Sequence, residues 1–385
     1  MKAIKARKIY TYGEKYINNG IILEDKGKII EIGTDIEISG DIEVLDYSDK
    51  VIMPGLIDGH THVGVWGDGE DGGGFDGNEM SRVVAGDVHI IDSINIRQKS
   101  YQTALEGGVT CVQILPGSSN AIGGTACVSK THGSCLESMI INKDSGLKGA
   151  TGENVKRRHG LLNNHGTATR MGVASKIREY FTDSKKYMEK VDLACEKGET
   201  YEKELLYEAG VKVLKGEMPF RVHAHRHDDI STVIRICNEF NIDYSIEHCT
   251  EGHLIKELVG GEKATVMLGP GLSSSFKVES ANYSDSNPKI LSEAGAKVSL
   301  ITDHPFLSLR YFIHYAGIVH REGLSFDETL KSITINPAIA LGVSHLVGSL
   351  EKGKDCDLIV LGGEPFTIEG RIENTIVNGE SVWAR

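Results

Sequence analysis

The run Pro54-Gly55-Leu56-Ile57-Asp58-Gly59-His60-Thr61-His62 constrains this chain more than any other feature. An apolar stretch ending in His-x-His reads as a buried strand. Its alternate residues face one way, so the imidazoles of His60 and His62 project together from one rigid edge. Paired neutral imidazoles are a common way to hold a transition-metal ion. Related patterns follow downstream. Arg221-Val222-His223-Ala224-His225 ends a second apolar stretch, with His223 the deeper ligand candidate and His225 on the same side, for metal or substrate. Ser245-Ile246-Glu247-His248 ends a third, and Leu300-Ile301-Thr302-Asp303 a fourth. His227 and His253 read as loop and helix-start residues.

Ligand-type residues at several strand ends require a fold that gathers those ends. The middle of the chain alternates apolar strand patterns (55–58, 109–115, 147–151, 220–225, 244–249, 264–268 and 297–302) with helical ones (170–181, 201–214, 229–240 and 327–332). That rhythm predicts a parallel sheet with crossover helices, closed as a distorted (β/α)8 TIM barrel whose active face lies at the C-terminal strand ends. These patterns supply seven strands; the missing one is expected in 125–131 or 136–141, and no helix fits between 115 and 125. Both ends of the chain read as short strands with turns between them, including the hairpin signal Asn378-Gly379. Neither end can bury a core alone, so the two are expected to pair into a small bipartite β-sandwich. The expected division is 1–52 and 346–385 for the sandwich and 53–345 for the barrel.

Composition narrows the function class. The 385 residues carry a net charge of −12, a poor match to nucleic acid or an anionic membrane. No run approaches the ~20 apolar residues of a membrane span. Seven dispersed cysteines without a C-x-x-C pair fit free, buried thiols in a reducing, cytoplasmic setting. Lys156-Arg157-Arg158 is the one basic cluster, readable as solvated surface or as a clamp for an anionic group. The Gly- and Asp-rich segment 67–77 is expected as a loop over the active face, readable as a surface loop or a lid. Neutral nitrogen donors with one carboxylate suit Zn²⁺, with Mn²⁺ or Fe²⁺ as alternatives.

The Pro54–His62 motif, the later strand-end histidines, Thr302-Asp303-His304-Pro305, Asn336-Pro337-Ala338 and the tail from Gly348 to Leu358 resemble the amidohydrolase superfamily, most of all its imidazolonepropionase-related branch. The resemblance runs from about residue 4 to 383. It implies a sandwich plus a distorted barrel holding one or two metal ions. It assigns His60 and His62 to the first strand, His223 to the fifth, His248 to the sixth and Asp303 to the eighth. It also implies, for two-metal members, a bridging carboxylate (a Glu or a carbamylated Lys) from strand three or four. Glu153 is preferred there, with Lys130 as the alternative; if neither binds, the site holds one metal.

The reaction implied is hydrolysis of a C–N bond in a cyclic or linear, peptide-like amide by hydroxide generated at the metal, with Asp303 as base and then acid. His248 or His225 would help hold the oxyanion. Arg226, Arg170 and Arg157 are candidate carboxylate partners, and the loop carrying Ser118 and Asn120 should also face a small-molecule substrate. A dimer or larger assembly is compatible with the resemblance. Deamination of a ring amidine is the competing reaction, and a non-catalytic scaffold the competing class.

Overall fold

The computed structural model describes residues 1–67, 75–162, 167–261, 265–272 and 277–385. The chain opens with four strands, β1 (Lys2–Tyr12), β2 (Lys15–Asp25), β3 (Lys28–Gly33) and β4 (Glu43–Pro54). It continues through β5 (Leu56–Thr61), β6 (Val109–Ile114), β7 (Ile122–Lys130), β8 (Ile140–Ala150), β9 (Phe220–Ala224), β10 (Tyr244–His248), β11 (Thr265–Leu268) and β12 (Lys297–Leu300). It ends with β13 (Leu358–Leu361), β14 (Ile372–Val377) and β15 (Glu380–Ala384). Two sheets result, one of seven strands in the order β15-β14-β13-β4-β1-β2-β3 and one of eight from β5 to β12.

The seven-stranded sheet joins the two chain ends, as their separate strand patterns predict. Ile4, Ile9, Ile22, Ile52, Leu358 and Ile376 bury one face of it in an apolar cluster distinct from the barrel core. Burying side chains of this size stabilises by about 1.5–3 kcal/mol each. The β14–β15 hairpin turns at Asn378 and Gly379, with φ of 49° and 74°, the left-handed pair that a tight two-residue turn needs.

The eight-stranded sheet is the distorted barrel. It closes where His62 N–H donates to His304 O at 3.0 Å and Asp303 N–H to His60 O at 3.1 Å. Asp58 reinforces the seam by accepting from the Thr302 N–H (3.1 Å) and hydroxyl (2.6 Å). The missing strand is β7, within which the expected 125–131 largely falls, and it is reversed: it runs antiparallel to both β6 and β8. Only residues 115–121 separate β6 from β7, too few for the dozen or more that a parallel crossover takes. The chain therefore turns straight back, and Lys130, at the end of β7, pairs in register with Cys111 near the start of β6.

The helix expected over 170–181 extends to Lys197, because its buried stripe continues through Ser184, Tyr187 and Ala194 before Gly198 (φ 67°) caps it. Cys111, Cys127, Cys237, Cys249 and Cys356 are buried free thiols, whereas Cys135 and Cys195 are exposed. Of the expected loop 67–77, residues 68–74 lie outside the described residues, as does Ala264 at the start of the expected seventh strand. Among the described residues no helix is long and apolar enough to cross a membrane.

Candidate metal centre

The C-terminal ends of β5, β9 and β10 and the segment after β12 deliver the expected histidines and aspartate to one place. The ligand atoms of His60, His62 and Asp303 lie within 4.8 Å of one another, and so do those of His223, His225 and His248. The two groups adjoin, with ring centroids 4.9 Å apart for His60 and His248 and 4.4 Å for His223 and His248. His248 and Asp303 have left-handed backbones, φ 72° and 51°. For a non-glycine residue this costs on the order of 1–3 kcal/mol, strain of the kind that gathers at functional sites.

Hydrogen bonds set which ring nitrogen faces the site. His62 Nδ1 donates to Leu115 O at 2.9 Å and His248 Nδ1 to Gly269 O at 2.9 Å, since a carbonyl can only accept. His60 Nδ1 meets the buried Glu247 Oε2 at 2.7 Å. Each arrangement leaves Nε2 as a lone pair turned inward, the orientation that outer partners impose on metal-binding histidines. His62 Nε2 then lies 3.2 Å and His60 Nε2 3.6 Å from Asp303 Oδ1. Acceptors facing an anionic oxygen repel unless a cation is shared between them. His223 makes the same point: both its ring nitrogens are buried and neither has a hydrogen-bond partner.

Protonation agrees. Burial first, then the Lys148 charge, pull His60 down to about 4 against the opposing pull of Glu247. Burial, with Lys277 next, takes His225 to about 3. Burial also holds His223 and His248 well below the ordinary imidazole value. All four are neutral, the form that ligates. Burial alone would raise Asp303; what holds it below the usual carboxylate range is positive charge beside it, from protonated His248, His62 and His60 or, with these rings neutral, from a bound cation in their place. Neutral nitrogens, an ionised carboxylate and orphaned buried acceptors together fit metal ions.

A sequence profile of the Amidohydrolase family matches residues 51–382. The chain belongs to the amidohydrolase family. A solved structure of an amidohydrolase from Thermotoga maritima MSB8 superposes on it with a TM-score of 0.96 and 36% identity, covering 100% of both chains. The amidohydrolase tasK of Hapsidospora irregularis is 26% identical over 378 residues, 91% of this chain but 38% of that longer protein. The imidazolonepropionase of Picrophilus torridus is 24% identical over 371 residues, covering 88% of this chain and 86% of that protein. Placed in this fold and family, the metal-binding clusters make the chain a metal-dependent hydrolase acting on a C–N bond.

The structure does not bring Lys130 to the metal centre of this amidohydrolase. The reversed β7 carries it to the far end of the barrel, buried in ion pairs with Asp355 Oδ2 at 2.7 Å and Asp357 Oδ2 at 3.0 Å. Glu153 lies past the end of β8 in a side cleft with Arg157, Arg170 and Arg226. A strand lysine that does reach the clusters is Lys148 on β8, which sequence reasoning missed. Its Nζ is 3.5 Å from His60 Nε2 and 3.2 Å from Ser118 Oγ. Burial brings its amine down to about 8, although Glu247 and Asp303 oppose this. The available signal was a lone lysine inside the buried run Gly146-Leu147-Lys148-Gly149-Ala150.

Among the expected substrate residues of this amidohydrolase, His225 joins the second cluster and Ser118 lines the cleft above Asp303. Arg226 pairs with Asp228 (2.9 Å) and Arg170 with Asp229 (2.9 Å), both in the side cleft. Asn120 is a buried clamp, donating to Glu79 O and Arg82 O at 2.6 and 2.7 Å. The cleft above the clusters, about 410 Å³, is open over His62, His223 and Asp303. Arg157, Arg158 and Lys277 stand at this cleft beside Trp66, Phe75 and Phe306. Trp66 stacks on His62 (4.4 Å) and on Phe75 (4.9 Å), so the aromatic wall begins at a ligand candidate.

Proposed function

We propose that this amidohydrolase cleaves the amide C–N bond of a small substrate bearing a carboxylate and an apolar or aromatic group, with Zn²⁺ as its ion and His60, His62, His223, His248 and Asp303 among the ligands. The observation that carries the reading is the meeting of both clusters under one cleft with Asp303 open to it. A bound ion supplies Lewis acidity, polarising a carbonyl and making a water acidic enough to ionise near neutral pH. Asp303, kept ionised, takes the proton of the attacking water and returns it to the departing nitrogen. His248 has a single inward nitrogen, Nε2, so ligation and an oxyanion contact compete for it. His225, fixed by Thr250 Oγ1 at 2.7 Å, is the better oriented of the two toward substrate or ion.

Lys148 replaces Glu153 and Lys130 as the bridging candidate. Its buried, partly neutral amine can add to CO₂ and release one proton, giving a carbamate whose carboxylate replaces a hydrogen-bond donor beside His60 with a ligand. Arg158 supports a carboxylate on the substrate: it lines the cleft, and its buried Nε has no hydrogen-bond partner. A guanidinium grips a carboxylate bidentately. Relatedness to imidazolonepropionases supports including cyclic amides among the substrates.

The test is a panel of N-acyl amino acids, dipeptides, carboxylate-bearing cyclic amides and ring amidines, read by mass spectrometry and ammonia release. Hydrolysis of the amides with no ammonia supports the reading. Turnover of amidines alone, with ammonia, replaces it with deamination.

A further inference from the structure

Beside the second cluster lies a carboxylate that no strand-end pattern marks. Glu279 lies in the turn Val278–Ser280 after β11 and is 2% exposed. Its Oε2 accepts the Glu153 N–H at 2.8 Å, tying this turn to the segment after β8. Its Oε1 is buried and accepts no hydrogen bond. That oxygen lies 3.8 Å from His223 Nε2 and 4.0 Å from His225 Nε2, with Lys277 Nζ at 3.9 Å.

An unsatisfied buried carboxylate oxygen is costly, and so are the unsatisfied ring nitrogens of His223 beside it. Ligand bonds of about 2.0–2.2 Å in a tetrahedral site put donor atoms roughly 3.3–3.5 Å apart. The first cluster shows that spacing between Asp303 and its two histidines, 3.2 and 3.6 Å. Glu279 faces His223 and His225 in the same way but more loosely, at 3.8 and 4.0 Å, so an ion would have to draw it in by a few tenths of an ångström.

We infer that Glu279 is the anionic ligand of a second metal position whose nitrogen donors are His223, His225 and His248. The inference rests on the metal-hydrolase reading and goes further, because it gives the second ion a carboxylate of its own, independent of Lys148. The site is then three-histidine, one-carboxylate, and its occupancy does not require the lysine to be carbamylated.

The test strips the protein with a chelator and titrates Zn²⁺ back by calorimetry, on wild type, Glu279→Gln and Lys148→Met. Glutamine keeps an oxygen for the Glu153 N–H, so the loop tie survives while the charge is lost; melting of the metal-free proteins checks this. Glu279→Gln is expected to weaken one binding phase by more than about 100-fold, beyond the loss typical of an outer-shell change. Lys148→Met removes the bridge and should weaken that phase by less than Glu279→Gln does. If Glu279→Gln does not fold, Glu279→Asp keeps the charge, draws the oxygen back by a methylene and should weaken the same phase. A Glu279→Gln isotherm matching wild type overturns the inference alone, whatever happens to KM. A wild type that takes up no ion overturns the metal-hydrolase reading as well.

Discussion

His62 Nε2 faces Asp303 Oδ1 at 3.2 Å although the His62 ring proton is already given to the Leu115 carbonyl. Two acceptors held that close by separate elements, β5 and the segment after β12, form a socket for a cation. The pair also lies at the seam where the barrel closes, so closing the barrel and forming the site are one event.

Asp303→Asn should fold normally, because asparagine tolerates the left-handed backbone at this position (φ 51°). It cannot cycle a proton. Turnover should fall by about 10²–10⁴, the usual contribution of a positioned acid–base group, with the melting temperature of the metal-free protein nearly unchanged. Near-normal turnover would assign the proton to another residue.

Lys148→Met should lower the zinc bound at the His60, His62 and Asp303 position, and wild-type apoprotein should regain activity faster with bicarbonate than without. Reconstitution indifferent to bicarbonate, with unchanged metal content in the variant, would remove Lys148 from the ligand set.

Lys130→Met is the contrasting case. It leaves Asp357 with an uncompensated buried charge, while Asp355 keeps Lys28, and breaking a buried pair costs about 3–5 kcal/mol. Denaturant unfolding should show that loss while metal per folded chain stays at the wild-type value. A loss of metal with stability intact would contradict the placement of Lys130 far from the site.

Glu247→Gln should weaken zinc binding by about 10- to 100-fold, as losses of outer-shell carboxylates do. Glu247 is fully buried, receives the Ser245 hydroxyl and holds His60 Nδ1, while Arg221 Nη1 donates to Ser245 Oγ at 3.1 Å. Competition with a zinc chelator measures the effect. Unchanged affinity would mean that His60 needs no external orienter.

The barrel and most of its site were legible because they rest on short-range patterns. His-x-His at the end of an apolar strand reports direction and depth together, and this holds for His60, His62, His223 and His225. Lys130 misled because its meaning depended on strand direction: a seven-residue connection reversed β7, and direction is set by that connection rather than by the strand's own residues. Lys148 was obscured by length. Its Cα lies in β8 two residues before the strand's end, and only its long side chain carries the amine up to His60. Glu279 carried no signal, since it sits in a turn whose position over the second cluster is fixed by the Glu153 contact and not by any periodic pattern.

The most direct test of the central claim is anomalous X-ray diffraction at the zinc edge from crystals of the zinc-loaded protein. The account predicts one peak among His60, His62 and Asp303 and a second among His223, His225 and His248. Zinc elsewhere on the molecule, with these six side chains free of it in a protein that still turns over substrate, would contradict it.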